Sequence, residues 1–124
     1  MEHLKYKEES YVIIGKCMEV HNNLGPGFLE IVYKDALEYE FYTADIPYER
    51  EKKYEVNYKG IILPHSFYAD FVVFDKIILE VKAVRAMPDE YIALSINYLK
   101  VSGNELALLV NFGELRLNSK RIVF

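Results

Sequence analysis

Apolar positions recur at three- and four-residue spacing in the first third of the chain and at two-residue spacing after it. Tyr11, Ile14, Cys17, Met18 and His21 form the first stripe and predict a helix over about residues 8–22. The run Asn22-Asn23-Leu24-Gly25-Pro26-Gly27 stops it with strong turn chemistry. Leu29, Val32, Ala36, Leu37 and Phe41 form a second stripe, on a helix from about Phe28 to Ala44 that Asp45-Ile46-Pro47 ends. The period then becomes two. Tyr48 to Tyr58 reads as a charged, alternating edge strand, Lys59-Gly60 as a turn, and Ile61 to Leu63 as a short strand cut off by Pro64. A hairpin over about Phe67 to Val84 follows, then a helix opened by Pro88-Asp89-Glu90 and closed by Ser102-Gly103-Asn104. Glu105 to Phe112 and Leu115 to Phe124 are two last strands. Helix, helix, strands, helix, strands is the order of an α/β sandwich with a mixed sheet.

The hairpin carries the chemistry. Its core, Asp70-Phe71-Val72-Val73-Phe74-Asp75-Lys76-Ile77-Ile78-Leu79-Glu80-Val81-Lys82, places an acid in one apolar strand and an acid and a lysine two apart in the next. Alternate residues of a strand share a face, so Glu80 and Lys82 emerge together. A two-residue turn at Asp75-Lys76 would pair Asp70 with Val81 and turn it away from Glu80. A three-residue loop, Phe74 to Lys76, or a bulge pairs Asp70 with Glu80 and sets Phe71 and Val73 opposite Leu79 and Ile77. Because a one-residue slip exchanges the faces, the apolar side selects the odd-length loop. Two carboxylates and an ammonium on one patch can hold a divalent cation and position a water for attack on a phosphodiester. The same residues also make an ordinary ion-pair patch on a half-exposed sheet.

Asp, a hairpin's length, then Glu-x-Lys resembles the signature of the PD-(D/E)xK nuclease superfamily. Upstream, Gly27-Phe28-Leu29-Glu30-Ile31-Val32-Tyr33 resembles the G-x-x-E-x-x-Y motif of the GxxExxY proteins, a branch of it. Leu24-Gly25-Pro26-Gly27, Leu109-Val110-Asn111-Phe112-Gly113 and Lys120-Arg121-Ile122-Val123 extend the likeness over about residues 14–123. It implies a restriction-endonuclease-like α/β sandwich, a central mixed sheet flanked by helices, as a single domain over residues 1–124. It also implies hydrolysis of DNA phosphodiester bonds with Mg²⁺ or Mn²⁺. Asp70, Glu80 and the Val81 backbone carbonyl would be metal ligands, joined by Glu30 reaching in from the second helix. Lys82 would orient the attacking water or stabilise charge; two adjacent carboxylates oppose the lowered pKa a true base needs. Read from its helix alone, Glu30 is a surface acid stabilised by the helix dipole.

The resemblance departs on the third helix. Tyr98 is present, but Leu94 stands where the family carries Gln and Tyr91 where it often carries His. That shifts the missing polar role to Ser95 or Asn97, or implies an inactive nuclease fold that binds nucleic acid or a protein partner. Tyr33, Tyr98, Lys100, Lys120 and Arg121 are candidate substrate contacts, with Arg116 as a further phosphate contact and Lys52, Lys53 and Lys59 as a second basic patch. His21 reads as a helix-terminal side chain that satisfies carbonyls, His65 as structural or exposed, and Cys17 as core.

Charge changes this picture most. A formal net charge of −4 is unlike stand-alone nucleic-acid binders, so binding would rest on a local basic patch, a metal or a partner. A lone cysteine excludes an internal disulfide or a multi-cysteine zinc site. Eleven Tyr and seven Phe argue for an ordered core. No apolar run approaches the roughly 20 residues of a membrane span, and Met1-Glu2-His3-Leu4-Lys5 lacks a secretory signal's apolar core, so a cytoplasmic location is expected. The apolar last strand is a candidate edge for a homodimer.

Overall fold

The computed structural model describes residues 5–124, so residues 1–4 of the start read above lie outside the described residues. Two helices come first, α1 (Lys7–Leu24) and α2 (Glu30–Thr43). Three strands follow, β1 (Tyr48–Tyr58), β2 (Ile61–Val73) and β3 (Ile77–Lys82). Helix α3 (Glu90–Ser102) then leads to β4 (Leu106–Asn111) and β5 (Asn118–Val123). The strands form one sheet in the order β1-β2-β3-β4-β5. All neighbours are antiparallel except β3 and β4, which α3 joins as a parallel crossover. β4 is buried throughout and β3 all but Lys82, as expected for central strands covered on both faces. Among the described residues no helix is long and apolar enough to cross a membrane.

Two cores flank the sheet. Ile13, Cys17 and Val20 of α1 and Tyr33, Leu37 and Phe41 of α2 pack on Phe71, Val73, Leu79, Val81 and Val110. Leu99 of α3 packs on Val72, Ile78, Ala107, Leu109 and Ile122 from the other side. Both helical stripes are rotated from the expected ones: Tyr11, Met18 and Leu29 are exposed, while Val20 and Tyr33 are buried. The first helix shows its aromatic Tyr11 to solvent because Ser10 and Ile13 face inward.

The β2–β3 register is the odd-length one, with Phe71 opposite Leu79, Val72 opposite Ile78 and Val73 opposite Ile77. Phe74 and Asp75 both take left-handed backbone conformations, and the Lys76 N–H closes the turn on the Val73 carbonyl. Pro64 does not end a strand, as the sequence had suggested. Pairing jumps from Glu55–Ser66 to Asn57–Ile62, which leaves residues 63–65 opposite Val56 alone. In that bulge the N–H that proline lacks has no ladder partner to lose.

The Asn111-Phe112-Gly113 segment locks the sheet to the loop after β3. The buried Asn111 amide accepts from the Val84 and Gly113 N–H groups and donates to the Val84 carbonyl and Glu114. A Cβ at Gly113 would lie 2.3 Å from the Val84 carbonyl oxygen, so only glycine fits there. His21 meets the Glu114 carbonyl at 2.9 Å, in keeping with its expected role.

Candidate active site at the β2–β3 split

Below Phe71 and Leu79 the β2–β3 ladder ends and side chains replace it. The Asp70 N–H donates to Glu80 Oε2 at 2.9 Å, and the Val81 N–H donates to Asp70 Oδ2 at 2.8 Å. The two acids thus cap the strands where they part. A residue that presents its N–H to one neighbour presents its carbonyl there too, so the Val81 carbonyl faces the same split.

The break has a cause in β1. Glu51 stands opposite Asp70, between the Arg50–Phe71 and Lys52–Ala69 pairs, with a left-handed φ of 54°. Ala69 packs with the α3-side core and Phe71 with the α1/α2-side core, so β2 changes face through Asp70. Asp70 therefore also reaches α2. Lys34 donates to Asp70 Oδ1 at 2.9 Å and to Glu51. Burial pulls the Lys34 ammonium down, but its two carboxylate partners outweigh this and hold its pKa above the ordinary value.

Glu80 is 2% exposed. Burial, and then the Asp70 charge beside it, push its pKa up to about 9, well above the carboxylate range. Glu30 is half-buried and is shifted upward for the same leading reason, with the Lys82 charge opposing. It is the first residue of α2, which starts about two residues later than expected because Leu29 keeps an extended backbone. Lys82 makes no ion pair among the described residues; its ammonium stands over the Tyr91 ring, 4.8 Å from the centroid. Tyr98 donates to the Tyr68 carbonyl at 2.9 Å and meets Phe67 edge-on. Burial, followed by the Glu80 and Asp70 charges, raises its pKa. Glu30, Asp70, Glu80, Val81, Lys82 and Tyr98 are thus brought to one place.

Three other expected contacts are not. Tyr33 is fully buried and stacked on Phe112; its hydroxyl donates to the Gly25 carbonyl at 2.6 Å and accepts from the Phe28 N–H. It anchors the loop that aims Glu30 and has nothing left for substrate. Arg121 is committed to Ser10 and the Lys5 carbonyl on the α1 side. Lys100, about 200° around α3 from Tyr98, lines a separate hollow with Glu55, Asn57 and Asn97. Lys120 does share the Glu80 face. It lies in the rung Glu80–Leu109–Lys120, two strands and about 10 Å away. Neither neighbour replaces the glutamine absent at Leu94: Ser95 donates to the Tyr91 carbonyl, and Asn97 lines the hollow of Lys100, its buried amide nitrogen without a partner among the described residues.

Lys34 and Glu51 were not singled out in the sequence, and Tyr91 only as the residue standing where the family often carries His. Lys34 follows Glu30 by four residues, the spacing of a shared helix face; Tyr91 precedes Tyr98 by two turns on α3. Glu51 carries no local signal.

Hard oxygen donors suit Mg²⁺ or Mn²⁺. Among the described residues no three carboxylate, imidazole or thiol groups converge on one point. The fit rests on a pair, Asp70 and Glu80, completed by the Val81 carbonyl. Burial, and then the adjacent Asp70 carboxylate, drive Glu80 toward its neutral form, and a cation held by the pair would offset that cost.

No curated protein matches this chain. The solved structure of SSO0001 superposes with a TM-score of 0.62 at 20% identity, over 76% of this chain and 50% of that one. This likeness shows the fold, and the chain spans half the length of that protein. The sequence model of the PD-(D/E)XK nuclease superfamily matches residues 7–122, nearly the whole chain. With its mixed five-stranded sheet between helices, this chain belongs to the PD-(D/E)XK nuclease superfamily and has a restriction-endonuclease-like fold.

Proposed function

We propose that the protein is a divalent-metal-dependent nuclease that hydrolyses DNA phosphodiester bonds. The observation that carries this reading is the split between β2 and β3, where Asp70 and Glu80 meet with Lys82 two residues beyond. Asp70, Glu80 and the Val81 carbonyl would hold Mg²⁺ or Mn²⁺, with Glu30 at the margin. Bound there, the ion supplies an acidified water and offsets charge on the scissile phosphate. Lys82, held over Tyr91 and without an ion pair among the described residues, can face the attacking water and the non-bridging oxygens. Lys120 and Tyr98 border the path that the nucleic acid would take.

Two observations favour a second reading, a nuclease fold that binds nucleic acid or a protein without cutting: the net charge of −4 and the apolar Leu94 in α3. One experiment separates them. Single- and double-stranded DNA and RNA are incubated with Mg²⁺ or Mn²⁺ and wild-type, Asp70→Ala or Lys82→Ala protein. Cleavage by wild type alone supports the nuclease and names its substrate. A folded, metal-saturated protein that cuts none of the four supports the binding module.

A further inference from the structure

The Asp70 carboxylate already has a cation. Lys34 is buried, and its ammonium sits 2.9 Å from Asp70 Oδ1 while Val81 occupies Oδ2. Its second partner is different in kind: Glu51 is exposed, and it holds a left-handed backbone conformation that is uncommon for a residue with a side chain. Lys34 is thus shared between a buried acid at the centre of the site and an exposed acid at its rim. We propose that Lys34 is the resident counter-ion of the carboxylate pair, and that a divalent ion binds by driving its ammonium from Asp70 onto Glu51. This rests on the metal-site reading above and adds what sets that site's affinity.

The argument is one of charge and space. A divalent ion on Asp70 and an ammonium within hydrogen-bond reach of the same carboxylate repel strongly in a partly dry site. An ammonium with no acceptor to move to would remain buried and unpaired, which is costly. Glu51 gives it that acceptor without a change of helix position, since Lys34 already touches both acids. The apo protein gains neutralisation of Asp70, and the metal-bound protein keeps Lys34 paired. Lys34 therefore competes with metal, and Glu51 relieves the competition.

Direct Mn²⁺ binding, read calorimetrically and from the paramagnetic resonance signal of free Mn²⁺, tests this without any substrate. Lys34→Met should bind Mn²⁺ at least tenfold more tightly than wild type and should melt at a lower temperature without metal. Glu51→Gln should bind it several-fold more weakly. Glu49→Gln removes the same charge two residues along β1, where the side chain pairs with Lys52, and should leave affinity unchanged. Equal or weaker Mn²⁺ binding by folded Lys34→Met overturns the proposal, as does an equal loss in Glu51→Gln and Glu49→Gln. Should Lys34→Met fail to fold, the two glutamate variants decide alone, Glu51 being exposed and tolerant of change. Binding by Lys34→Met but not by wild type supports the proposal in its strongest form. Absence of binding in every variant removes the metal-site reading and this proposal together, whereas equal binding in all of them removes only this one.

Discussion

Asn111 and Asp70 do the same mechanical work at two places in the sheet and reach opposite electrostatic ends. Each is a buried side chain that takes over backbone partners where strands or loops part. The Asn111 amide holds Val84, Gly113 and Glu114 and carries no charge. Asp70 and Glu80 accept from two backbone N–H groups and the Lys34 ammonium, with acceptor capacity to spare and two carboxylates against one ammonium. A cluster built on a neutral amide whose groups are all matched is a fastener. A charged cluster that draws on a lysine and a raised carboxyl pKa to be tolerated is the kind of place where chemistry is sought.

Substitutions at the two clusters should therefore separate stability from chemistry. The largest effect is expected at Asp70→Asn, which keeps the shape and removes a ligand. Cleavage per folded molecule should fall by about a thousandfold, the several kcal/mol that metal charge stabilisation supplies, with a smaller loss of stability because the amide nitrogen meets either Lys34 or the Val81 N–H. A cleavage rate within a few-fold of wild type would sink the proposed role. At the fastener the outcome inverts. Gly113→Ala drives a methyl group into the Val84 backbone and should cost about 3 kcal/mol, roughly a 10 °C fall in melting temperature. Asn111→Ala should cost about 2 kcal/mol by stranding buried backbone groups. Neither should alter the Mn²⁺ affinity of the protein that remains folded, which calorimetry would check.

Acidity sharpens the same contrast. The unfolded chain releases the Glu80 proton near pH 4.5, whereas the native metal-free protein keeps it to about pH 9. The native state binds more protons across that window, so stability should fall as pH rises through it. Glu80→Gln or saturating Mn²⁺ should flatten the slope in a series of thermal melts, and Asn111→Ala should leave it unchanged. The smallest effect belongs to Tyr33→Phe. Loss of its two hydrogen bonds should cost about 1 kcal/mol and slow cleavage modestly through the loop that aims Glu30. A large loss of cleavage with no loss of stability would return Tyr33 to the substrate contacts.

The hairpin register was legible because period-two patterning admits one apolar face, and Phe71, Val73, Ile77 and Leu79 fill it. The strand through Pro64 was not, since the bulge that accommodates proline depends on pairing across to Glu55 and Asn57. The helix stripes came out rotated because Tyr11 and Leu29 are large and apolar yet exposed, while Ser10 and Lys34 face inward. Tyr33 shared a motif with Glu30 and so read as chemistry. Its neighbours in space, Phe112 and the Gly25 carbonyl, lie far off in sequence or in an irregular turn. Lys34 and Glu51 were hidden for a related reason. A lysine on a helix and a glutamate in a charged strand look solvated until Asp70 is placed beside the lysine.

The parallel pairing of β3 with β4 also orders events in time. β2 and β3 are joined by a short turn and need little loop closure to pair, whereas β4 meets β3 only across the α3 crossover, which predicts the later step. Contacts between distant segments must first meet the entropy of closing the intervening chain. Until then Glu80 lies on an open strand edge, wet and acidic like any surface carboxylate. The proton that Glu80 holds in the native state is thus taken up late in folding, so refolding at pH 7 should show its proton uptake in the slowest kinetic phase.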